Sequence, residues 1–289
     1  MNPSAPDAGR GPDQTPGRNA GKGGRNGDQE GAVALAILLL ESPEELSCER
    51  IAEQLKARFP GVAYSDLTSD GGIVSLRCPE MVFLAPMPVP MPWSDLEGPC
   101  ATSLTWPDAA EPVRRHQMHV LVTVMGAPDA MTGIRRLSMV AAVAAASLER
   151  CIGVYWGNST SVARKDLFVE MMSELALEGM PLPIWIATRI GKTRDGRLEG
   201  FTTGMAAFGL MEFETHSAPG KPGELREFFW SLSAYLLEKG PVVADGNTVG
   251  GSAEEKIRVV YAPSRFGIEG RVMRLEYGTP KKKGLFGLW

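Results

Sequence analysis

The chain has 289 residues, enough for one large domain or two modest ones with an ample core. Apolar residues make up 44% and charged residues 22%, the balance of an ordinary soluble globular protein. A formal net charge of -4 supplies no basic field to recruit nucleic acid, and Cys48, Cys78, Cys100 and Cys151 are too widely spaced for a zinc knuckle or a redox pair. The cysteines read as reduced thiols of a cytoplasmic protein.

Residues 1–31 are Gly, Pro, Asn and charge, which cannot bury enough surface to offset their ordering entropy, so they read as a disordered tail. A single α+β domain is expected over 32–277, followed by a basic, aromatic tail over 278–289. The apolar run Ala32–Leu40 is too short to span a bilayer and no cleavage pattern follows it, so it reads as a buried strand. A helix near 47–59 carries Ile51, Leu55 and Phe59 on one face, with Ser42 or Ser47 as cap and Pro60-Gly61 as stop. Ser69–Gly72 is a hairpin signal.

In Pro86–Trp93 prolines occupy 86, 88, 90 and 92, so alternate backbone donors are missing along one side. An edge strand or a short polyproline segment is expected, with Met87, Met91 and Trp93 as an adaptable surface for a partner. His119–Gly126 reads as a buried strand, and Met131–Arg150 as a helix whose Ala-rich half packs against close neighbours.

Gly153–Trp156 reads as a strand and Val162–Gly179 as a helix with Leu167, Met171 and Leu175 on one face. A strand over Pro181–Ile190, an Asp-Gly turn at Thr193–Arg197 and a returning strand follow. Glu224–Pro241 is the clearest helix, striped by Leu225, Phe228, Phe229, Leu232 and Leu236 and ended by Gly240-Pro241. Two strands over 255–262 and 271–277 close the chain. The order suits an α+β fold of mixed or antiparallel sheets with helices packed on one face, as two ferredoxin-like halves meeting near 127–152.

The segments "GPCATSLTWPDA", "GVYWGNS", "TTGMAAFGLMEFE" and "YLLEKGPVVADGNTVG" together resemble the bacterial domain-of-unknown-function family numbered 4261, over roughly 33–277. The resemblance implies a bacterial α/β domain with no assigned activity and brings no catalytic residues.

Chemistry is therefore sought in the residues. Gly157-Asn158-Ser159-Thr160-Ser161 departs from the G-x-S-x-G nucleophile elbow only at its last position, and Asp195 and His216 follow in the order such hydrolases use. Against this, Asp195 belongs to a hairpin turn and His216 to a Gly/Pro-rich loop. The same turn, between a strand and a helix start, could instead hold an anion with Asn158, Ser159 and Thr160 beside Trp156, near Arg164 and Lys165. In the plainest alternative Asn158 makes a left-handed turn and Ser161 caps the helix.

His116 and His119 lack acidic companions, and Cys100 lacks an orienting group, so neither a metal centre nor a Cys-His dyad is expected, and no cofactor is implied. Asp245–Asn247 reads as a turn and Ser252–Glu255 as a capping box. Trp185 and Trp230 fall in apolar periodic segments. Trp93, Trp106 and Trp156 lie at element ends and are candidates to line a cleft. Lys281, Lys282, Lys283 and Trp289 could give weak contact with an anionic membrane surface. These features together point to a non-catalytic, immunity-like binding or adaptor module for a protein partner in a bacterial cytoplasm. The alternative is a small hydrolase using Ser159.

Overall fold

The computed structural model describes residues 34–175, 178–250 and 256–278. The first sheet is built from β1 (Leu35–Leu40), β2 (Ser65–Asp70), β3 (Ile73–Cys78), β4 (Glu80–Met87), β5 (Met118–Met125), β6 (Cys151–Trp156) and β7 (Ser161–Arg164). The strands lie in the order β2-β3-β4-β5-β1-β6-β7, each antiparallel to its neighbour. Helices packed with it include α1 (Cys48–Arg58), α2 (Trp93–Ala101), α3 (Ala110–Arg114), α4 (Ala130–Ser147) and α5 (Lys165–Leu175).

β1 explains its own composition. Ala36, Leu38 and Leu40 pack with Ile51 and Leu55 of α1 and Leu137 and Val140 of α4. Ile37 and Leu39 point the other way, onto Leu96 of α2 and Val113 of α3. A strand covered on both faces has no polar alternate, hence the unbroken apolar run. Helices thus cover both faces of this sheet, where one face was expected.

Local chemistry sets the helix starts. Ser47 Oγ accepts from Arg50 N at 3.2 Å to open α1, and Asp129 Oδ1 accepts from Thr132 N at 2.8 Å to open α4. Glu44 accepts from the backbone N–H groups of Glu149 and Arg150 and pairs with Arg50 at 3.0 Å, tying the start of α1 to the end of α4. The hairpin at 69–72 turns on Gly71 and Gly72, both with positive φ.

The proline segment differs from the edge-strand expectation. β4 lies inside the sheet as far as Leu84, and its last residues, Ala85, Pro86 and Met87, pair with β5 alone, past the end of the β3 ladder. Residues 88–92 leave the sheet, since proline carries no N–H to continue a ladder. Two histidines hold them: His119 Nδ1 lies 2.8 Å from Val89 O, and Met91 N donates to His116 Nε2 at 2.8 Å. Trp106, placed by sequence at a cleft, is buried against Gly153 of β6, where a Cβ would meet its ring at 2.3 Å.

α5 (Lys165–Leu175) and α6 (Leu182–Trp185) carry the chain to the second sheet. That sheet comprises β8 (Ala187–Lys192), β9 (Leu198–Thr203), β10 (Phe213–Ala218), β11 (Thr248–Val249), β12 (Ile257–Pro263) and β13 (Arg271–Glu276), with α7 (Pro222–Lys239) packed on it. The order is β11-β12-β13-β10-β9-β8, antiparallel except where β10 runs parallel to β13. The passage between sheets falls at 165–186 rather than near 127–152, which α4 occupies, and both sheets are larger than the four strands of a ferredoxin-like half. One hydrophobic cluster joins Leu38, Val140, Trp185, Phe213, Phe229 and Leu275, so both sheets share a core.

Among the described residues no helix is long and apolar enough to cross a membrane. Ser252–Glu255, Lys281, Lys282, Lys283 and Trp289 lie outside the described residues.

Candidate functional site

The stretch after β6 is a β-hairpin. Trp156 pairs with Ser161, and 157–160 turn the chain back into β7. The expected strand-to-helix turn is absent: 161–164 form a strand, and the helix starts only at Lys165. Among the described residues no helix starts at 157–160, which removes the geometric basis of both the nucleophile elbow and the anion cradle. Ser161 is a strand residue, not a cap.

The hydroxyl of Ser159 is fully buried, donates to Ile184 O at 2.8 Å and bonds Ser161 Oγ at 2.7 Å. Asp195 sits in the exposed β8–β9 turn as the acceptor of Thr193 Oγ1. His216 lies on β10 with Nε2 2.9 Å from Glu214 Oε1, a close approach that is not aligned as a hydrogen bond. The three residues of the hydrolase alternative each have other partners and form no triad. Of the anion candidates, Asn158 Oδ1 accepts from Leu35 N at 3.4 Å, and Trp156 is buried with its ring 6.0 Å from Phe168.

Thr160 leads to a different site. Its φ is 51°, in the left-handed region. Arg189 Nη2 donates to both Thr160 O and Thr160 Oγ1 at 2.9 Å, and Arg189 Nη1 donates to Thr203 Oγ1 at 2.7 Å. Thr203 Oγ1 passes the bonding on to Ser159 O at 2.7 Å. Every direct acceptor of this guanidinium is neutral. Burial lowers the pKa of Arg189, with Tyr155 and Glu212 opposing it by charge.

Arg189 stands on β8, the edge strand of the second sheet, beside a cleft of about 410 Å3. Thr102 and Leu104, following α2, form one wall, and Arg189, Phe201, Arg226 and Phe266 form much of the rest. The two arginines approach from opposite faces of the sheet. Arg189 pairs with Phe201, and Phe201 with Glu214, so these three share a face. Phe213 points the other way, onto Phe229 of α7 at 6.3 Å, and Arg226 belongs to that helix.

Arg226 Nε and Thr188 Oγ1 are buried without a hydrogen-bond partner among the described residues. Such orphaned groups are uncommon and call for an explanation. Glu199 also lines the cleft, and among the described residues no ion pair joins it to either arginine.

Two buried carboxylates set the walls. Glu214 accepts from Ser264 Oγ at 2.8 Å, Arg265 N at 3.1 Å and Arg274 Nε at 3.1 Å. Ser264 Oγ then accepts from Phe266 N at 3.0 Å, and Phe266 stacks on Phe201 with centroids 4.8 Å apart. Glu212 accepts from Thr202 Oγ1 at 2.8 Å, Gly204 N at 2.8 Å and Ala206 N at 3.0 Å, closing the end of β9. Gly204 has φ 121°, and a Cβ there would lie 2.1 Å from Trp185 O.

The remaining sequence candidates are structural or apart from the cleft. His116 and His119 anchor 88–92, and among the described residues no group of side chains could hold a metal ion. Cys100 is buried, and burial pushes its thiol up to about 11, which leaves no thiolate nucleophile at neutral pH. Met87 is exposed, whereas Met91 and Trp93 are partly buried against the α2/α3 cluster, with Arg114 4.3 Å over the Trp93 ring.

Residues 201–276 match the family model described as Domain of unknown function (DUF4261). The resemblance read from sequence over roughly 33–277 is therefore shown over β9 to β13. The matched DUF4261 segment contains Phe201, Glu212, Glu214, Arg226 and Phe266, while Arg189 and Leu104 precede it. No curated protein and no solved structure matches the chain.

Sequence reasoning missed Arg189, Arg226 and Phe266. Arg189 and Lys192 in "IATRIGK" are charges within an apolar alternation, the signal of an edge strand. Nothing in the sequence announces that Arg226 lacks a counter-ion.

Proposed function

We propose that the chain acts by binding rather than by catalysis, and that the cleft beside β8 is where it engages a protein partner. One observation carries this: the guanidinium groups of Arg189 and Arg226 line one cleft and, among the described residues, make no ion pair with a carboxylate. A cation kept partly out of water without a counter-ion is costly, and an incoming anionic group offsets that cost. Phe201, Phe266 and Leu104 supply apolar contact around it, the composition of a binding hot spot. The engagement of Ser159 by Ile184 O and Ser161 supports the non-catalytic side of the proposal. An adaptor or immunity-like role in a bacterial cytoplasm is the biological setting we attach to it, with free thiols at Cys48, Cys78, Cys100 and Cys151 in keeping with a reducing compartment.

The test is site-specific photo-crosslinking in the native host. A photoreactive residue at Leu104 should trap a discrete partner, and the adduct should vanish in Arg226→Ala, while the same residue at Ile73, far from the cleft, traps nothing comparable. Labelling of Ser159 by a fluorophosphonate probe, lost in Ser159→Ala, would overturn the proposal.

A further inference from the structure

We infer that the cleft receives an extended acidic segment of the partner, added to the second sheet as a further strand along β8. This rests on the binding function proposed above and names its ligand.

β8 is paired along one side only. Its six residues, Ala187–Lys192, match Thr203–Leu198 of β9, and no strand lies beyond it. The outer edge of a strand carries a row of N–H and C=O groups, and an extended peptide satisfies them by joining the ladder. The far wall, at Thr102 and Leu104, stands off by the width of the cleft and forms no backbone hydrogen bond to β8 among the described residues.

The charges give the composition of that peptide. Arg189 lies on the face shared with Phe201, and Arg226 comes from α7 on the opposite face. Successive side chains of a strand point to opposite faces. A strand added at this edge therefore presents neighbouring residues to the two arginines in turn, and two adjacent acids meet both. A compact anion sits on one side of the edge. Glu199, opposite Gly191 in the ladder, disfavours a third acid at that end and helps to fix the register. Phe201 and Phe266 flank the Arg189 side and take an apolar neighbour of the acidic pair.

The test titrates the full chain with capped hexapeptides Thr-Val-Glu-Asp-Val-Thr and Thr-Val-Gln-Asn-Val-Thr, with the acidic peptide N-methylated at its central amides, and with succinate. The acidic peptide should bind about tenfold or more tighter than the neutral one, as expected for desolvated charge pairs. Amide exchange at Thr188–Gly191 should slow on binding, and the N-methylated peptide should not bind. Arg226→Ala should weaken the acidic peptide by about tenfold. Because Arg226 Nε has no hydrogen-bond partner among the described residues, this variant removes no bond of that atom, whereas Arg189→Ala also strips Thr160 and Thr203 of a donor. Equal binding of acidic and neutral peptides, or of methylated and unmethylated ones, would overturn the inference. Succinate binding that depends on Arg226, with no peptide binding, would leave the binding function standing and remove strand addition. Self-association of Arg189→Ala/Arg226→Ala, with no peptide binding by the parent, would show that the arginines only guard the edge against aggregation. Labelling of Ser159 by the fluorophosphonate probe would instead remove the binding function itself.

Discussion

The Arg189 guanidinium holds Thr160 by both its carbonyl and its hydroxyl, each at 2.9 Å, and Thr160 meets it in a left-handed backbone conformation. The β6–β7 hairpin is thereby fastened to the edge strand of the other sheet. The arrangement orients the arginine without neutralising it, because every group it touches directly is uncharged. Electrostatic attraction for an anion survives such an arrangement, where an ion pair would have spent it.

Ser159→Ala tests whether this serine is structural. Its hydroxyl is fully buried between Ile184 O and Ser161 Oγ. Removing it leaves both without a partner, and urea unfolding should show a loss of about 1–2 kcal/mol. A substitution without effect on stability would mean that the hydroxyl is free for another use.

Glu212 should give the fold a pH dependence of definite sign. Burial raises its pKa above the ordinary 4.5, more than the bonds from Ala206, Thr202 and Gly204 lower it. A carboxyl whose folded pKa is raised binds its proton more tightly in the folded state than in the unfolded one. Stability from this group is greatest below the ordinary value and declines as pH rises from there through the raised folded pKa. Glu212→Gln should flatten that decline in unfolding curves taken across the window. Glu212→Ala, which abandons buried donors, should cost roughly 2–4 kcal/mol.

His116 acts in the opposite sense. Desolvation lowers its pKa below 6.5, against the opposing bond to Val113 O and with help from the charge of His119. The folded state therefore holds the proton less tightly than the unfolded state, and stability falls as pH drops from 6.5 towards the folded pKa. Protonation also destroys the Nε2 acceptor for Met91 N, so 88–92 should loosen first. Amide exchange at Met91 followed from pH 7 to 5 checks this, with His116→Gln expected to remove the dependence at that amide. His216, lowered in pKa by burial despite Glu214, contributes stability of the same sign.

Gly204→Ala should be among the most damaging single changes. The new Cβ would lie 2.1 Å from Trp185 O, and alanine at φ 121° is strained in any surroundings. A loss of more than about 3 kcal/mol, or failure to fold, is expected. Near-normal thermal unfolding would show that the β9 end can move away from Trp185.

Most of the architecture was legible where one local signal sufficed. Ser47 is flanked by a helical stripe, and Gly71-Gly72 fits one kind of turn. The errors fall where a distant partner decides. Ser161–Arg164 reads equally well as the opening of the helix that follows, and only the ladder to β6 makes it a strand. Trp106 looks like a loop aromatic because the bare Cα of Gly153 that receives its ring lies far along the chain. In the candidate site, Asn158–Thr160 drew notice through their residue types, and the structure brings Thr160 to Arg189. Arg189 and Arg226 stayed hidden because a missing counter-ion is a property of three-dimensional neighbourhood.

The central claim is that these two arginines form the chain's anion-receptive site. The most direct measurement is a 1H–15N spectrum of the arginine Nε groups during titration with the capped hexapeptide Thr-Val-Glu-Asp-Val-Thr. Arg189 and Arg226 should shift together at concentrations that leave Arg136, Arg164 and Arg274 unmoved, since those three already face Glu80, Asp166 and Glu214. Shifts spread evenly over the exposed arginines, with Arg189 and Arg226 no more responsive than Arg77 or Arg150, would contradict it.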